Sequence, residues 1–195
     1  AMANVQKVLR AGENVLAVHG SNDGGVAGLV LRITWSTGDQ RGELVSLKDV
    51  GDRIIVADFF FTTCATICPK MSAQMERVQD AYRTDDRLIL LSHSVTPEMD
   101  SVPALAAYAE LHRADHKRWR FLTGDRKQIY RLARKSYFAA MDEGDGGPDD
   151  FVHTENFVLV DPQRRIRGFY DGTSPTEVDR LIGDIDKLLN EKNLK

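Results

Sequence analysis

The two cysteines of this 195-residue chain stand four positions apart, as Cys64 and Cys68 in the stretch TTCATICPK. Side chains at this spacing share one face of a helix, so the two sulfurs are close enough to bind one metal ion or to form a disulfide. Two buried structural thiols are the simpler alternative, because free cysteine is often buried. Packing, however, gives no reason for both to fall in one short stretch. The spacing therefore indicates a dithiol site.

The residues on either side place this pair at a junction between a strand and a helix. Ile54 to Phe61 form an almost continuous apolar run, which is typical of a strand buried on both faces. Pro69 suits the first turn of a helix, and apolar residues at helical spacing follow it. The amino end of a helix presents unpaired N–H groups that favour thiolate over thiol. We therefore expect cysteines with raised nucleophilicity and metal affinity.

The remainder of the chain predicts an α/β fold in which a central mixed sheet is flanked by helices. A hairpin is expected first, with strands Val30–Trp35 and Glu43–Leu47 around a turn at Gly38–Gly42. Strands and helices then alternate from Ile54 onward. The expected elements are strand Ile54–Phe61, helix Pro69–Thr84, strand Leu88–Ser94, helix Ser101–Arg113, strand Trp119–Leu122, helix Arg126–Ser136, strands Phe157–Val160 and Ile166–Tyr170, and helix Thr176–Asn193.

Composition excludes several classes of function. The chain is 42% hydrophobic and 28% charged with a net charge of −3, which suits one soluble globular domain and gives no electrostatic reason to bind nucleic acid. Its apolar runs are shorter than the roughly 20 residues that a membrane-spanning helix needs. Ala1-Met2-Ala3 resembles a cloning remnant. We therefore expect that an upstream signal or anchor was removed.

His153 is a candidate to join the dithiol site. It follows an acidic, glycine-rich segment, Asp142–Asp150, and stands just before the strand predicted at Phe157–Val160. Sites in α/β folds form where loops meet at one end of the strands. By spacing alone, a lone histidine is more often a surface or hydrogen-bonded residue than a ligand. The composition of the acidic segment predicts that it moves easily and is ordered when metal binds.

Other candidate ligands have simpler explanations. His93, at the end of a predicted strand, is expected to pack or to support the site indirectly. Met71 and Met75 carry soft thioether sulfurs near the cysteines, but methionines at this spacing usually belong to the core. His112 and His116 have helical metal-ligand spacing, yet Ala114-Asp115 is expected to end the helix between them. We therefore expect these last two to be solvated surface residues.

Taken in order, four motifs resemble the SCO (SCO1/SenC/PrrC) family over about Leu44 to Leu189. The motifs are FTTCATICP at Phe61–Pro69, TPEMD at Thr96–Asp100, WRFLTG at Trp119–Gly124 and His153-Thr154, eight residues before Asp161-Pro162. The family commonly has proline and an acidic residue after the first cysteine, where this chain has Ala65 and Thr66. It commonly has DPERD where this chain has TPEMD.

The resemblance implies a thioredoxin-like domain over residues 44–195, preceded by an extension over residues 1–43 that includes the hairpin. It also implies a monomer anchored on the periplasmic side of the cytoplasmic membrane. Copper would be bound by Cys64, Cys68 and His153 and delivered to the binuclear copper site of cytochrome c oxidase. The donors agree with this, because thiolates suit Cu(I) and an added imidazole can also hold Cu(II). Zinc in a closed structural site needs a fourth ligand, and none is evident.

A second function stays open at this point, namely thiol-disulfide exchange. In that reaction Cys64 or Cys68 would act as the catalytic nucleophile on a disulfide of a respiratory or periplasmic partner. His153 separates the two hypotheses, because a metal site needs it and a dithiol exchanger does not. A peroxiredoxin-like peroxidase is disfavoured, because the chain lacks the Pro-x-x-x-Thr-x-x-Cys arrangement.

Overall fold

The computed structural model describes residues 17–18, 29–30, 37–139, 152 and 154–191. The acidic segment Asp142–Asp150 and His153 lie outside these residues. Within the described part, the strands are β1 (Ala17–Val18), β2 (Leu29–Val30), β3 (Thr37–Asp39), β4 (Leu44–Val45), β5 (Ile54–Phe60), β6 (Leu88–Ser94), β7 (Trp119–Thr123), β8 (Asn156–Val160) and β9 (Ile166–Asp171). The helices are α1 (Leu47–Val50), α2 (Ile67–Ala81), α3 (Val102–Leu111), α4 (Arg126–Arg131), which continues as a π-helical turn over Leu132–Ser136, and α5 (Pro175–Asn190).

Seven of the strands form one mixed sheet in the order β4-β3-β7-β6-β5-β8-β9. The central strands β5, β6 and β7 run parallel, and β3 and β8 pair antiparallel with β7 and β5. The crossovers between the parallel strands pass through α2 and α3, as such connections require. The predicted mixed sheet with helices on its faces is confirmed. None of the helices in the described ranges is both long enough and apolar enough to cross a membrane.

Strand β5 is buried along its whole length because both faces of the sheet are covered. Ile55, Ala57 and Phe59 face one core layer, which includes the residues of α4 and its π-helical continuation. Ile54, Val56 and Phe60 alternate with them and face the other layer, with α2, α3 and α5. A strand with two apolar faces needs a continuous apolar sequence, which explains the run from which it was predicted.

The predicted hairpin around Gly38–Gly42 is present, and its first described strand is β3 at Thr37–Asp39. All but the first residue of the expected strand Val30–Trp35 lies outside the described residues. Leu29–Val30 pair with Ala17–Val18 in a separate two-stranded sheet. Long-range pairing explains the position of β3, since Gly38 and Asp39 pair with β7. The Gln40 side chain adds to the contacts between β3 and β7, since it donates to the Trp119 carbonyl at 2.9 Å and accepts from the Phe121 N–H at 3.1 Å.

Candidate metal centre

The chain turns sharply between the end of β5 and the start of α2. The N–H of Cys64 donates to the carbonyl of Phe61 at 3.2 Å and closes a four-residue turn. Helix α2 begins at Ile67, two residues earlier than predicted, so that Cys68 lies in its first turn. Pro69 follows, where the missing N–H costs no helical hydrogen bond.

The sulfur of Cys64 satisfies a backbone group at the helix start. It accepts a hydrogen bond from the N–H of Cys68 at 3.4 Å and lies 3.9 Å from the Thr66 hydroxyl. Thr66 occupies the N-cap position but makes no hydrogen bond there with its side chain. The first N–H groups of a helix need acceptors from outside the helix. Cys64 supplies one, which explains why the helix begins before the proline.

The two cysteines differ in burial and in acidity. Partial burial of Cys64 raises the pKa of its thiol, but hydrogen bonds from the backbone N–H groups of Cys68, Thr66 and Ile67 outweigh this and lower the pKa to about 7. Cys68 is 2% exposed, and its burial, with the adjacent Cys64 sulfur, raises the pKa of its thiol to about 12. At neutral pH the pair therefore tends to hold one proton, on Cys68, with thiolate character on Cys64.

A buried carboxyl group, that of Asp58, lies on the same face of the sheet as Cys68. Asp58 is 2% exposed, and its Oδ1 has no hydrogen-bond partner within the described structure. Burial raises the pKa of its carboxyl group to about 7, although a hydrogen bond from Ser92 opposes the shift. Ser92 in turn accepts a 2.8 Å hydrogen bond from the Trp119 indole N–H. The negative charge of Asp58 contributes to the raised pKa of Cys68.

Asp100 is a second buried carboxylate near the cysteines, in the turn after β6. Its oxygens accept hydrogen bonds from Thr62, Ser94 and Thr96. Neither acidic residue was predicted from the sequence to be part of the site. For Asp58 the sequence did carry an indication, since it is the one charged residue in the apolar run Ile54–Phe61 and stands six positions before Cys64. The partners of Asp100 are up to 38 positions away, and no local pattern indicates them.

The other candidate ligands lie away from the two sulfurs or within the core. Met71 and Met75 are fully buried in the layer of α2, as expected of core methionines. His93 is fully buried on the opposite face of the sheet, where its ring stacks on Phe59 with 5.2 Å between ring centroids. Burial lowers the pKa of His93 to about 3. A packing role for His93 is confirmed.

The expectation that His112 is a solvated surface residue is wrong. Helix α3 does end at Leu111, but His112 is only 8% exposed. Its Nδ1 lies 2.8 Å from a carboxylate oxygen of Glu76, and its ring packs on that of Tyr108 at 4.6 Å. Because α2 and α3 are adjacent, a residue just past the end of α3 is covered by α2.

His153 lies outside the described residues, so its predicted convergence with the cysteines stays a prediction. Its neighbour Thr154 donates a 2.6 Å hydrogen bond to the carbonyl of Ala139. Strand β8 begins at Asn156 and runs antiparallel to β5, pairing Val158 with Ala57. The start of β8 therefore lies at the end of the sheet where β5 leads to the cysteines. Within the described ranges no group of three or more His, Cys, Asp or Glu side chains could hold a metal ion.

Comparison with known proteins assigns the family. A model of the SCO1/SenC family matches residues 29–190. The chain belongs to this family. A SCO1 protein homolog of Bacillus subtilis (strain 168) is 34% identical over 149 residues, which make up 75% of this chain and 77% of that protein.

Solved structures of SCO1/SenC family proteins share this fold. A SCO1/SenC family lipoprotein from Bacillus anthracis str. Ames is 28% identical with a TM-score of 0.71, covering 81% of this chain and 94% of that one. BsSco is described as a member of the Sco family of cytochrome c oxidase assembly proteins. It is 32% identical with a TM-score of 0.68, and the match covers 81% of this chain and 92% of that one. The predicted thioredoxin-like fold is thereby confirmed.

Proposed function

We propose that this protein is a copper metallochaperone that binds copper through Cys64, Cys68 and His153 and delivers it for assembly of the binuclear copper site of cytochrome c oxidase. The observation that carries this proposal is the placement of two sulfurs on one turn of chain at a helix start, the first partly exposed and the second buried. Thiolates are soft ligands that suit Cu(I), and a partly exposed sulfur allows a partner to take over the metal. The relative BsSco is described as belonging to a family of cytochrome c oxidase assembly proteins.

Protonation of the pair fits reversible metal binding. Copper ligands must be deprotonated, so binding at neutral pH releases the proton held on Cys68. The helix N–H groups that lower the pKa of Cys64 keep one thiolate ready before the metal arrives. Return of the proton to Cys68 would favour release of the ion to the acceptor protein.

His153 is proposed as the third ligand because of the position and contacts of the residues that follow it. It stands three residues before Asn156, where β8 begins at the cysteine end of the sheet. The Thr154 hydroxyl and the Asn156 amide both donate to the carbonyl of Ala139, which fixes the chain that follows His153. We expect His153→Ala to weaken Cu(II) binding much more than Cu(I) binding, because two thiolates alone can hold Cu(I). Competition titrations in each oxidation state measure this, and equal losses would contradict it.

Thiol-disulfide exchange is the second candidate, and the asymmetry of the cysteines favours it. Cys64 is exposed enough to attack and has the lower pKa, while Cys68 is buried and has the higher pKa. In such a reaction the Cys64 thiolate attacks a partner disulfide and forms a mixed disulfide. Cys68 loses its proton and displaces the partner, whose two cysteines are reduced as Cys64 and Cys68 form a disulfide.

The experiment that separates these functions uses the isolated copper-bearing domain of a cytochrome c oxidase as the acceptor. The acceptor is supplied either reduced and metal-free or oxidised with its cysteines joined. A chaperone transfers copper to the reduced acceptor, measured as the copper content of the acceptor after the two proteins are separated, and His153→Ala impairs that transfer. A reductase instead reduces the oxidised acceptor without copper, and His153→Ala leaves the rate unchanged. Failure of the metal-loaded protein to transfer copper would contradict the chaperone function.

We also propose that the protein acts on the periplasmic side of the cytoplasmic membrane. The B. anthracis relative is described as a lipoprotein, which places that protein at a membrane surface. Protease treatment of spheroplasts that express the full-length protein tests this location. Digestion in intact spheroplasts supports it, and protection until lysis contradicts it.

A further inference from the structure

Asp100 is a fully buried carboxylate to which the proposed copper chemistry assigns no role. Its Oδ1 accepts a 2.5 Å hydrogen bond from the Thr62 hydroxyl, and the Thr62 N–H lies 3.3 Å from the same oxygen. Its Oδ2 accepts from the Ser94 hydroxyl at 2.6 Å and from the Thr96 hydroxyl at 3.1 Å. A buried carboxylate with hydrogen bonds to both oxygens is strongly fixed in place.

These donors belong to two different parts of the chain. Ser94 and Thr96 are in the same segment as Asp100, and the N–H of Asp100 also donates to the carbonyl of Thr96 at 2.9 Å. This segment is held to the sheet, because the N–H of Val95 donates to the carbonyl of Phe60 at 2.8 Å. Thr62 is 38 positions away in the turn that leads to the cysteines. Asp100 therefore connects a rigid segment to that turn.

Thr62 is the second residue of the turn that Cys64 closes. Its neighbour Phe61 accepts the hydrogen bond from the Cys64 N–H at 3.2 Å. When both the N–H and the hydroxyl of Thr62 bind Asp100, the orientation of the turn is fixed, and with it the direction in which Cys64 leaves the turn. The position of the Cys64 sulfur against the Cys68 N–H depends on that direction.

We propose that Asp100 is a positioning residue for the dithiol site, which it orders through Thr62 before metal binds. A site ordered in advance binds more tightly, because less conformational entropy is lost on binding. Residues that orient metal ligands typically change metal affinity by about 10-fold to 100-fold when they are altered. The inference rests on the proposed function, since the cysteines it positions are the proposed copper ligands.

A matched pair of substitutions tests this role. Thr62→Val and Thr96→Val each remove one half-buried hydroxyl that donates to Asp100, but only Thr62 belongs to the cysteine turn. We expect both variants to show a similar decrease in Tm. Thr62→Val should weaken Cu(I) affinity about 10-fold in a competition titration, and Thr96→Val should leave it within about twofold of the wild-type value. Thr62→Ser, which keeps the hydroxyl, should restore the wild-type affinity.

A second measurement, on the metal-free protein, separates this inference from the proposed function. The rate at which iodoacetamide alkylates Cys64 depends on the contacts of its sulfur and does not require copper binding. We expect Thr62→Val to alter this rate at least about threefold and Thr96→Val to leave it unchanged. If the wild-type protein binds no copper, the proposed function fails while the alkylation rates still decide the positioning role.

Equal effects of Thr62→Val and Thr96→Val on affinity and alkylation would overturn the proposal, and so would the absence of any effect of Thr62→Val. If Thr62→Val does not fold, Asp100→Asn replaces it, since the amide weakens the same bonds without removing the side chain. Asp100→Asn should then reduce affinity and alter Cys64 alkylation more than Thr96→Val does. Values for Asp100→Asn that match those of Thr96→Val would also overturn the proposal.

Discussion

Replacement of Asp58 by asparagine should abolish a large part of the pH dependence of stability. Asp58 is 2% exposed, and its burial raises the pKa of the carboxyl group from an ordinary value of 3.8 to about 7. The folded protein therefore holds a proton on Asp58 over a range of pH in which the unfolded chain has released it. Because the folded pKa is the higher one, the stabilising contribution is complete below about pH 4 and is lost as the pH rises to about 7.

The size of the effect follows from the difference between the two pKa values. Each pKa unit corresponds to about 1.4 kcal/mol, so a difference of about three units corresponds to about 4 kcal/mol. We expect the free energy of unfolding of the wild-type protein, minus that of Asp58→Asn, to fall by about this amount between pH 4 and pH 7.5. Asparagine does not titrate, so the comparison isolates Asp58 from the other ionisable groups.

Urea denaturation of the reduced, metal-free proteins at half-unit pH intervals measures this difference. Ser92→Ala provides a second perturbation, because loss of the Ser92 hydrogen bond should raise the pKa of Asp58 further and move the loss of stability to higher pH. Parallel pH profiles for the wild type and Asp58→Asn would refute the reasoning. Such a result would mean that the carboxyl group ionises in place with its ordinary pKa.

Two further predictions concern the cysteines and the glycines. Iodoacetamide at pH 7 should alkylate Cys64 before Cys68, because helix N–H groups lower the pKa of Cys64 while burial raises that of Cys68. The alkylation rate of Cys64 should rise with pH around a midpoint near 7. Mass spectrometry of the digested protein measures both rates, and equal rates for the two cysteines would contradict the prediction. Gly183→Ala in α5 should raise the free energy of unfolding by about 1 kcal/mol, since an added Cβ meets nothing within 4 Å. Gly172→Ala should lower the free energy of unfolding by about 1–3 kcal/mol, because the added Cβ would lie 2.6 Å from the ring of Phe157. Denaturation of both glycine variants measures these changes, and equal changes in the two variants would contradict the prediction.

The central strands were predictable because their two buried faces require continuous apolar sequence. Strand β6 was predicted at the bounds it has, and β5 within one residue. The start of α2 was predicted two residues late, because the proline was the visible signal and the Cys64 sulfur, which accepts from the Cys68 N–H, was not counted as a helix cap. Strand β3 at Thr37–Asp39 was not predicted, because its position depends on pairing with β7, about eighty residues further along the chain.

The residues of the site likewise divide into those that local sequence indicates and those that depend on contacts between distant segments. Cys64 and Cys68 were found because their spacing is local. Asp100 was missed because its role depends on a hydrogen bond to Thr62 that only the folded chain creates. His112 was misjudged for a related reason, since its burial comes from the packing of α3 against Glu76 of α2. Contacts between elements decide such cases, and a one-dimensional pattern does not report them.

The most direct test of the central claim is a Cu(I) titration of the reduced protein against a competing chelator, with Cys64→Ser and Cys68→Ser as variants. If both sulfurs bind the metal, the wild-type protein takes up one copper ion, and each substitution weakens that binding by at least about 100-fold, because a hydroxyl is a poor ligand for Cu(I). Wild-type affinity in either variant would contradict the claim that this pair of cysteines is the copper site.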